Sequence, residues 1–227
     1  MYFMWYSAYW VILPGLLIAI YAQFRVNSTY SQYKQVANNR GLSGGDAARM
    51  ILDANGLSDV RIGRSGGTLS DNYNPKDKML NLSQEVLNGR SIAAISIAAH
   101  ECGHAIQHKE EYAPVKIRTA MVPVVNIASM FSWVLIIAGF IFSLFNMTMI
   151  GIIFFSTTVV FQLVTLPVEF NASSRALVQL RTLGIATEPE IYGAKKVLSA
   201  AALTYVAALV VAILQLLRLL LIFGRRN

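Results

Sequence analysis

The segment from His100 to His104 combines residue types that can bind a metal ion and use it. Each residue of an α-helix turns about 100°, so His100 and His104 lie about 40° apart on one face, one turn from each other. Two imidazole ligands of a single zinc ion need this arrangement. Glu101 lies about 60° from His104, where its carboxylate reaches a zinc-activated water without being a ligand. The spacing therefore predicts a zinc site with hydrolytic chemistry, in which Glu101 takes the proton from the water.

A catalytic zinc needs a third protein ligand as well as an open position. His108 lies roughly 12 Å along the helix from His100, and no glycine turns the chain back, so we interpret it as a surface histidine. Glu169 is the predicted third ligand, because it directly follows an apolar segment and lies on a helix that can pack against the first. The alternative for Glu169 is an interfacial carboxylate paired with a basic residue.

The elements that position these residues are predicted to be anchored in a lipid bilayer. The mean hydropathy is +0.50, and only 14% of the residues are charged, which is too apolar for an ordinary soluble domain. Four stretches have about the 20 apolar residues that a membrane crossing needs, namely 5–22, 121–143, 147–167 and 198–223. The first lacks the features of a cleaved signal and is expected to be a retained anchor.

The two polar blocks of the chain, 23–120 and 168–199, are predicted to lie on one side of the membrane. They are separated by two crossings, and they hold every acidic residue and all basic residues except Arg218, Arg225 and Arg226. Basic residues near the ends of the crossings favour the cytoplasmic side, although a block of this length can cross regardless of charge. The net charge of +7 fits attraction to lipid headgroups better than binding to nucleic acid, because the basic residues are dispersed. The single cysteine forms no internal disulfide, in agreement with a reducing compartment.

Local patterns predict a mainly α fold with a small β hairpin or sheet. An amphipathic helix is expected over 43–54, and short strands over 60–62 and 78–82 flank a turn-rich segment. Ser91 is expected to cap the helix that carries the histidines and runs to about residue 108. In the second polar block, a helix is expected over 169–180, and Thr187 and Glu190 have the spacing of a capping box.

The chain is accordingly divided into five parts. They are an N-terminal anchor (1–24), a catalytic block (25–120), two transmembrane helices (121–167), a third-ligand helix with a capping helix (168–197), and a C-terminal transmembrane helix with a basic tail (198–227).

Three sequence blocks, HECGHAIQH, GGTLSDNYNPKDKMLNLS and LPVEFNASSRAL, resemble the YugP-type neutral zinc metallopeptidases of bacterial membranes. That family is similar to the HtpX heat-shock proteases and the CAAX prenyl proteases. The resemblance implies a gluzincin-like fold, one zinc ion on His100, His104 and Glu169, and Glu101 as the catalytic base. It also suggests that Ser70, Asp71 and Asn72 lie on an edge strand to which a substrate peptide can add. Members of the family usually carry a further acid after the third ligand, where this chain has Asn171 and Ser173.

Residues around the motif have further candidate roles. Ser173 lies on the same helical face as Glu169 and is a candidate to orient a ligand. Arg175 and Tyr73 are candidates to stabilise an oxyanion, against a salt bridge and a packed ring as the alternatives. Cys102 points away from the metal and is expected in the core. Gly103 is expected to allow close approach of a strand or of substrate backbone.

The predicted function is a membrane-bound zinc endopeptidase that cuts peptides or membrane proteins. A catalytically silent zinc-binding scaffold or quality-control adaptor is the alternative, and replacement of Glu101 by Gln separates the two. Intramembrane cleavage requires the motif within a spanning helix, and an ion transporter requires acids or paired charges inside the crossings; neither is found. Assembly into a homo-oligomer stays open.

Overall fold

The computed structural model describes residues 10–67 and 70–223, and within them the chain forms two compact units. The first unit is drawn from Met1–Gln23, Lys116–Pro167 and Leu203–Asn227, as far as these are described. The second consists of Phe24–Val115 and Val168–Ala202. The helices of the described chain are α1 (Leu13–Lys34), α2 (Gly44–Ala54), α3 (Gln84–Leu87), α4 (Ile92–Lys109), α5 (Ala113–Ile141), α6 (Phe145–Thr182) and α7 (Glu188–Phe223). The strands are β1 (Arg61–Ser65), β2 (Asn72–Asn74) and β3 (Met79–Ser83).

Three helices within residues 10–67 and 70–223 are long and apolar enough to cross a membrane, namely α5, α6 and α7. Large apolar side chains on them, such as Val124, Ile137 and Ile153, are more than half exposed, as expected of surfaces covered by lipid. The remaining predicted crossing, 5–22, is the first in the chain and begins outside the described residues. Helix α5 begins well before residue 121, where the apolar pattern had predicted its start.

Small residues bring the helices of the first unit together. A Cβ atom on Gly15 would lie 3.0 Å from the Leu214 side chain, so α1 packs closely on α7. A Cβ atom on Gly151 would lie 2.8 Å from the Ser132 carbonyl oxygen, so α6 packs closely on α5. Such close approach is typical of helices that associate in a membrane, where lipid provides no hydrophobic driving force between them.

The second unit is built around α2 and α4. The predicted helix α2 is confirmed, and it begins with a capping box in which Ser43 and Asp46 bond to each other's backbone N–H groups. The amphipathic face of α2 is buried against α4 and the sheet, in a core that includes Ile51, Leu52 and Ile95. This core holds α4 rigidly, because its apolar half is enclosed on several sides.

The sheet of the second unit has the order β1-β3-β2 in the described chain. Strands β1 and β3 are parallel partners, with Ile62 opposite Leu80, while β2 is the antiparallel partner of β3 on the other side. The two predicted strands are confirmed, but they do not pair as a hairpin with each other. The turn-rich segment between them contains β2, whose residues Asn72, Tyr73 and Asn74 have weak strand propensity apart from the tyrosine.

The second polar block contains the end of one long helix, α6, and the beginning of another, α7. Helix α6 extends through Pro167 to Thr182, which confirms the helix predicted after the third crossing. Helix α7 begins at Glu188, where the Glu190 carboxylate accepts bonds from the Thr187 backbone N–H and hydroxyl, each at 2.7 Å. One half of the predicted capping box is therefore present, namely the half in which Glu190 accepts from the Thr187 N–H.

Candidate metal centre and active site

Helix α4 carries the two histidines and the glutamate of the motif. It begins after Ser91, whose hydroxyl accepts a bond from the Ala94 N–H at 3.2 Å, and it runs unbroken to Lys109. The ring centroids of His100 and His104 are 4.8 Å apart, and the rings are nearly perpendicular. The helix therefore presents both imidazoles to one region of space, one turn apart.

Glu169 reaches this region from α6, because α4 and α6 approach each other closely at Gly103. A Cβ atom on Gly103 would lie only 2.5 Å from the Ala172 carbonyl oxygen. The close neighbour of Gly103 is thus a helix, and the expectation of a strand or of substrate backbone there was wrong. One turn along α6 from Ala172, Glu169 is buried, and its Oε2 lies 3.3 Å from His100 Nε2 and 3.6 Å from His104 Nε2.

The donor atoms of His100, His104 and Glu169 fit a zinc ion. All three lie within 4.8 Å of one another. Tetrahedral zinc with bonds of about 2.0–2.2 Å holds its ligand atoms roughly 3.3–3.5 Å apart, close to the two nitrogen–oxygen distances observed. Two imidazoles with one carboxylate are also a donor set of catalytic zinc sites.

The other nitrogen of each imidazole is hydrogen-bonded away from the centre. His100 Nδ1 lies 3.2 Å from Ser173 Oγ, and His104 Nδ1 lies 3.0 Å from Gln107 Oε1. The Gln107 oxygen is an acceptor only, so His104 Nδ1 donates to it, and Nε2 is the nitrogen that faces Glu169. Partners of this kind set the orientation and tautomer of metal-binding histidines.

The carboxyl group of Glu101 lies beside the ligands in a nearly dry environment. It is buried, and burial raises its pKa. The charges of His100 and His104 act in the opposite direction, while those of Glu169 and Asp71 add to the effect of burial. A carboxyl group beside a metal centre in such surroundings can exchange a proton with a water molecule.

The sheet approaches the same helix through Tyr73. The Tyr73 ring on β2 packs against His108, with centroids 5.7 Å apart. His108 is therefore part of a packed pair and not an isolated surface histidine. Asn72 lies in β2, whereas Ser70 and Asp71 precede it, so the predicted edge strand begins later than expected. The Asp71 carboxylate accepts bonds from the Ser83 N–H at 2.7 Å and the Ser83 hydroxyl at 3.3 Å.

Arg175 is held by one partner on α6 and by another just after the end of α4. Its Nε donates to Asn171 Oδ1 at 2.7 Å, and its Nη2 lies 2.6 Å from Glu110 Oε2. The guanidinium also lies over the Tyr112 ring. The salt bridge considered as an alternative for Arg175 is thus present.

Sequence reasoning missed Gln107 and predicted Cys102 well. Gln107 is completely buried and joins α4 to α6, bonding to the Val168 carbonyl oxygen and to Asn171. The one available signal was an amide seven residues after His100, which helical periodicity places on the same face as the two histidines. Cys102 is buried in the core, with its Sγ 3.6 Å from the Ala48 carbonyl oxygen.

Comparison with known proteins gives two matches that agree with this geometry. The family model described as "Putative neutral zinc metallopeptidase" matches residues 8–224. This chain belongs to that family. It is also 47% identical over 211 residues to the "Putative membrane protease YugP" of Bacillus subtilis (strain 168), covering 93% of this chain and 94% of that protein. No solved structure matches the chain.

The family match confirms the resemblance found in the three sequence blocks. The family description includes zinc, and the described residues include one cluster with suitable donors. The name of the relative refers to a membrane, and the described chain has helices able to cross one. A member of a zinc metallopeptidase family with membrane-spanning helices is the description that both matches support.

Proposed function

We propose that this protein is a membrane-bound zinc endopeptidase of gluzincin type. The observation that carries the proposal is the convergence of His100 Nε2 and His104 Nε2 on Glu169 Oε2, at 3.3 and 3.6 Å. Glu101 follows the first histidine directly and is buried beside the group. A metal site alone needs only the three ligands, whereas peptide hydrolysis also needs a base at the position of Glu101.

His100, His104 and Glu169 hold one zinc ion in this proposal, and Glu101 moves the protons. A zinc ion bound there lowers the pKa of a water molecule toward 7 and polarises a peptide carbonyl. Glu101 accepts a proton from the attacking water as the new carbon–oxygen bond forms, and it returns the proton to the amine nitrogen as the carbon–nitrogen bond breaks. Ser173 and Gln107 orient the two imidazoles throughout.

We propose that the substrate is an extended peptide segment that pairs with the outer strand β2. Strand β2 is the last in the described sheet order, so one of its edges has no strand partner there. The contact between Tyr73 and His108 brings this strand to α4, one turn beyond His104. Backbone pairing would select extended chains with little regard for side chains, which suits an endopeptidase that acts on peptides of varied sequence.

For the oxyanion that forms on the substrate carbonyl, Tyr73 is the better candidate of the two considered. Arg175 is engaged by Asn171 and Glu110, and its release would break both contacts. The Tyr73 ring lies on the strand proposed to bind substrate, and a phenol hydroxyl can donate a hydrogen bond to an oxyanion. Burial raises the pKa of Tyr73, so its hydroxyl stays protonated at neutral pH.

We further propose that the protein resides in the cell membrane with the site facing the cytoplasm. The basic residues adjoining the predicted crossings support this orientation. Membrane proteins and short peptides are then the accessible substrates. The side of the membrane can be tested by labelling single cysteines introduced into 168–197, after Cys102 has been replaced by Ala.

The decisive experiment combines metal analysis with cleavage of casein and of a membrane-derived peptide. Detergent-purified wild type is expected to contain one zinc per chain and to cleave, with activity lost on chelation. Glu101→Gln is expected to keep zinc and to lose cleavage, whereas the matched control Glu188→Gln keeps both, because Glu188 is exposed and pairs with Arg181. A wild type that holds zinc and cleaves nothing would support the scaffold alternative, and a wild type without zinc would refute the proposal.

A further inference from the structure

The side chain of Gln107 is fully buried between α4 and α6, and its three hydrogen bonds are directed at the metal centre and its supports. Its Nε2 donates to the Val168 carbonyl oxygen at 2.8 Å and to Asn171 Oδ1 at 2.9 Å. Its Oε1 lies 3.0 Å from His104 Nδ1. An amide has two N–H donors and one carbonyl acceptor, so these three contacts use both donors and the acceptor.

The Val168 carbonyl determines the orientation of this amide. A backbone carbonyl oxygen accepts and cannot donate, so it must face the amino group of Gln107. The carbonyl oxygen of Gln107 must then face His104, and only a protonated Nδ1 satisfies it. The backbone of α6 thereby sets the tautomer of an imidazole on α4, leaving Nε2 available as a ligand.

Asn171 holds the amide from the other side. Its Oδ1 accepts from Gln107 Nε2 and also from Arg175 Nε at 2.7 Å, and Arg175 is in turn paired with Glu110. The two contacts that Gln107 makes on α6, Val168 and Asn171, lie on either side of Glu169 in the sequence. One side chain therefore connects the second histidine to the helix segment that carries the carboxylate ligand.

We propose that Gln107 is the positioning residue of this centre, holding His104 in its Nδ1–H form and fixing Glu169 relative to it. The proposal rests on the proposed function only in requiring that His100, His104 and Glu169 hold a metal. Each imidazole has one such partner, but the Gln107 amide is tied to α6 by two further hydrogen bonds, whereas the Ser173 hydroxyl can rotate. Loss of the Gln107 amide is therefore expected to loosen the His104 imidazole and, at the same time, the segment of α6 that carries Glu169.

The test measures metal binding, which does not depend on a substrate. Gln107→Met keeps the length and volume of the side chain and removes its hydrogen bonds. We expect its zinc affinity, measured by chelator competition, to fall about 10- to 100-fold, a typical effect of losing such a partner. The visible absorption of the Co²⁺-loaded protein is expected to change as well, because it reports ligand geometry and not overall stability.

Gln179→Met is the matched control. Gln179 lies on α6 and its amide bonds to Asn55, so the substitution removes a comparable tie within the second unit without touching a metal ligand. Its zinc affinity and cobalt spectrum are expected to equal those of wild type. Thermal unfolding of both variants in EDTA separates any loss of stability from the loss of metal binding.

Asn171→Ala keeps the proposal falsifiable if the buried Gln107→Met substitution prevents folding. Asn171 is only half-buried, and its removal releases one of the two contacts that fix the Gln107 amide. We expect its zinc affinity to fall by about 10-fold, the lower end of the range for losing such a partner. Wild-type zinc affinity and cobalt spectrum in whichever of these variants fold would overturn the positioning role while the proposed function stands. Absence of stoichiometric zinc in the wild type would instead overturn the proposed function.

Discussion

Replacement of Gly103 by Ala is expected to move the proposed metal ligands apart, although Gly103 is not itself a ligand. The new Cβ would lie 2.5 Å from the Ala172 carbonyl oxygen, whereas ordinary Cβ contacts lie at 3.4–4 Å. Helices α4 and α6 would have to separate by about 0.9 Å to bring this contact to 3.4 Å, which exceeds the tolerance of about 0.5 Å for a working site. Overpacking of this kind costs about 1–3 kcal/mol of stability.

The separation would carry Glu169 away from both histidines, since it lies one turn from Ala172. We expect zinc to bind at least about 10-fold more weakly. A tenfold loss reduces the stabilisation that saturating zinc confers by about 1.4 kcal/mol. The assay is thermal unfolding in detergent, with EDTA and with a fixed excess of zinc, together with zinc affinity from chelator competition.

Two other glycines supply the controls for this substitution. Gly193→Ala also overpacks the second unit, because its Cβ would lie 2.7 Å from the Tyr33 ring, but it touches no ligand. It is expected to lower the unfolding temperature in EDTA, while excess zinc should raise that temperature by as much as in the wild type. The Cβ added by Gly66→Ala would meet nothing within 4 Å, so this variant is expected to keep both the unfolding temperature in EDTA and the stabilisation by zinc of the wild type. A Gly103→Ala protein that gains as much stability from zinc as the wild type would refute this reasoning.

Four further predictions concern single side chains. Ser43→Ala is expected to lower the free energy of unfolding by about 1 kcal/mol through loss of the α2 cap. Hydrogen bonds from the Ser43 hydroxyl and backbone N–H lower the pKa of Asp46. The contribution of the Asp46 carboxylate to stability should therefore be complete at neutral pH and be lost as the pH falls through the folded-state pKa. Melting of wild type and Asp46→Asn across pH 3–7 checks this, and a constant difference contradicts it. Ser173→Ala should weaken zinc binding up to about 10-fold with unchanged melting in EDTA, and equal zinc affinity would exclude a role for its contact with His100. Tyr73→Phe should keep the ring contact with His108 and lower kcat about 10²- to 10³-fold at constant KM; unchanged kcat would remove the hydroxyl from the mechanism.

Much of the fold was accessible from local patterns. Ser43 and Ser91 begin helices because their hydroxyls satisfy N–H groups that have no partner within the helix, and this is a property of a few neighbouring residues. Long apolar stretches predicted α5, α6 and α7 for a similar reason, since length and hydropathy are summed along the chain. The start of α5 was less accessible, because polar residues ahead of the apolar stretch also join the helix.

The sheet was predicted less well, because strand pairing is not local. Strand β2 lies in a segment rich in Gly, Asn and Pro, and it exists because β3 offers a partner edge. The parallel pairing of β1 with β3 likewise depends on the path of the chain between the two strands. The alternation of polar and apolar side chains along a strand does not encode that path.

The sequence by itself determined the chemistry of the centre: two imidazoles one turn apart, with a carboxylate beside them, follow from helical periodicity alone. Only the tertiary structure decided what surrounds them. The approach of α6 at Gly103, the 3.3 Å between His100 and Glu169, and the amide of Gln107 between the helices all depend on contacts between residues more than 60 positions apart. Those contacts are set by the packing of two helices, and packing is a property of the assembled core that no short stretch of sequence contains.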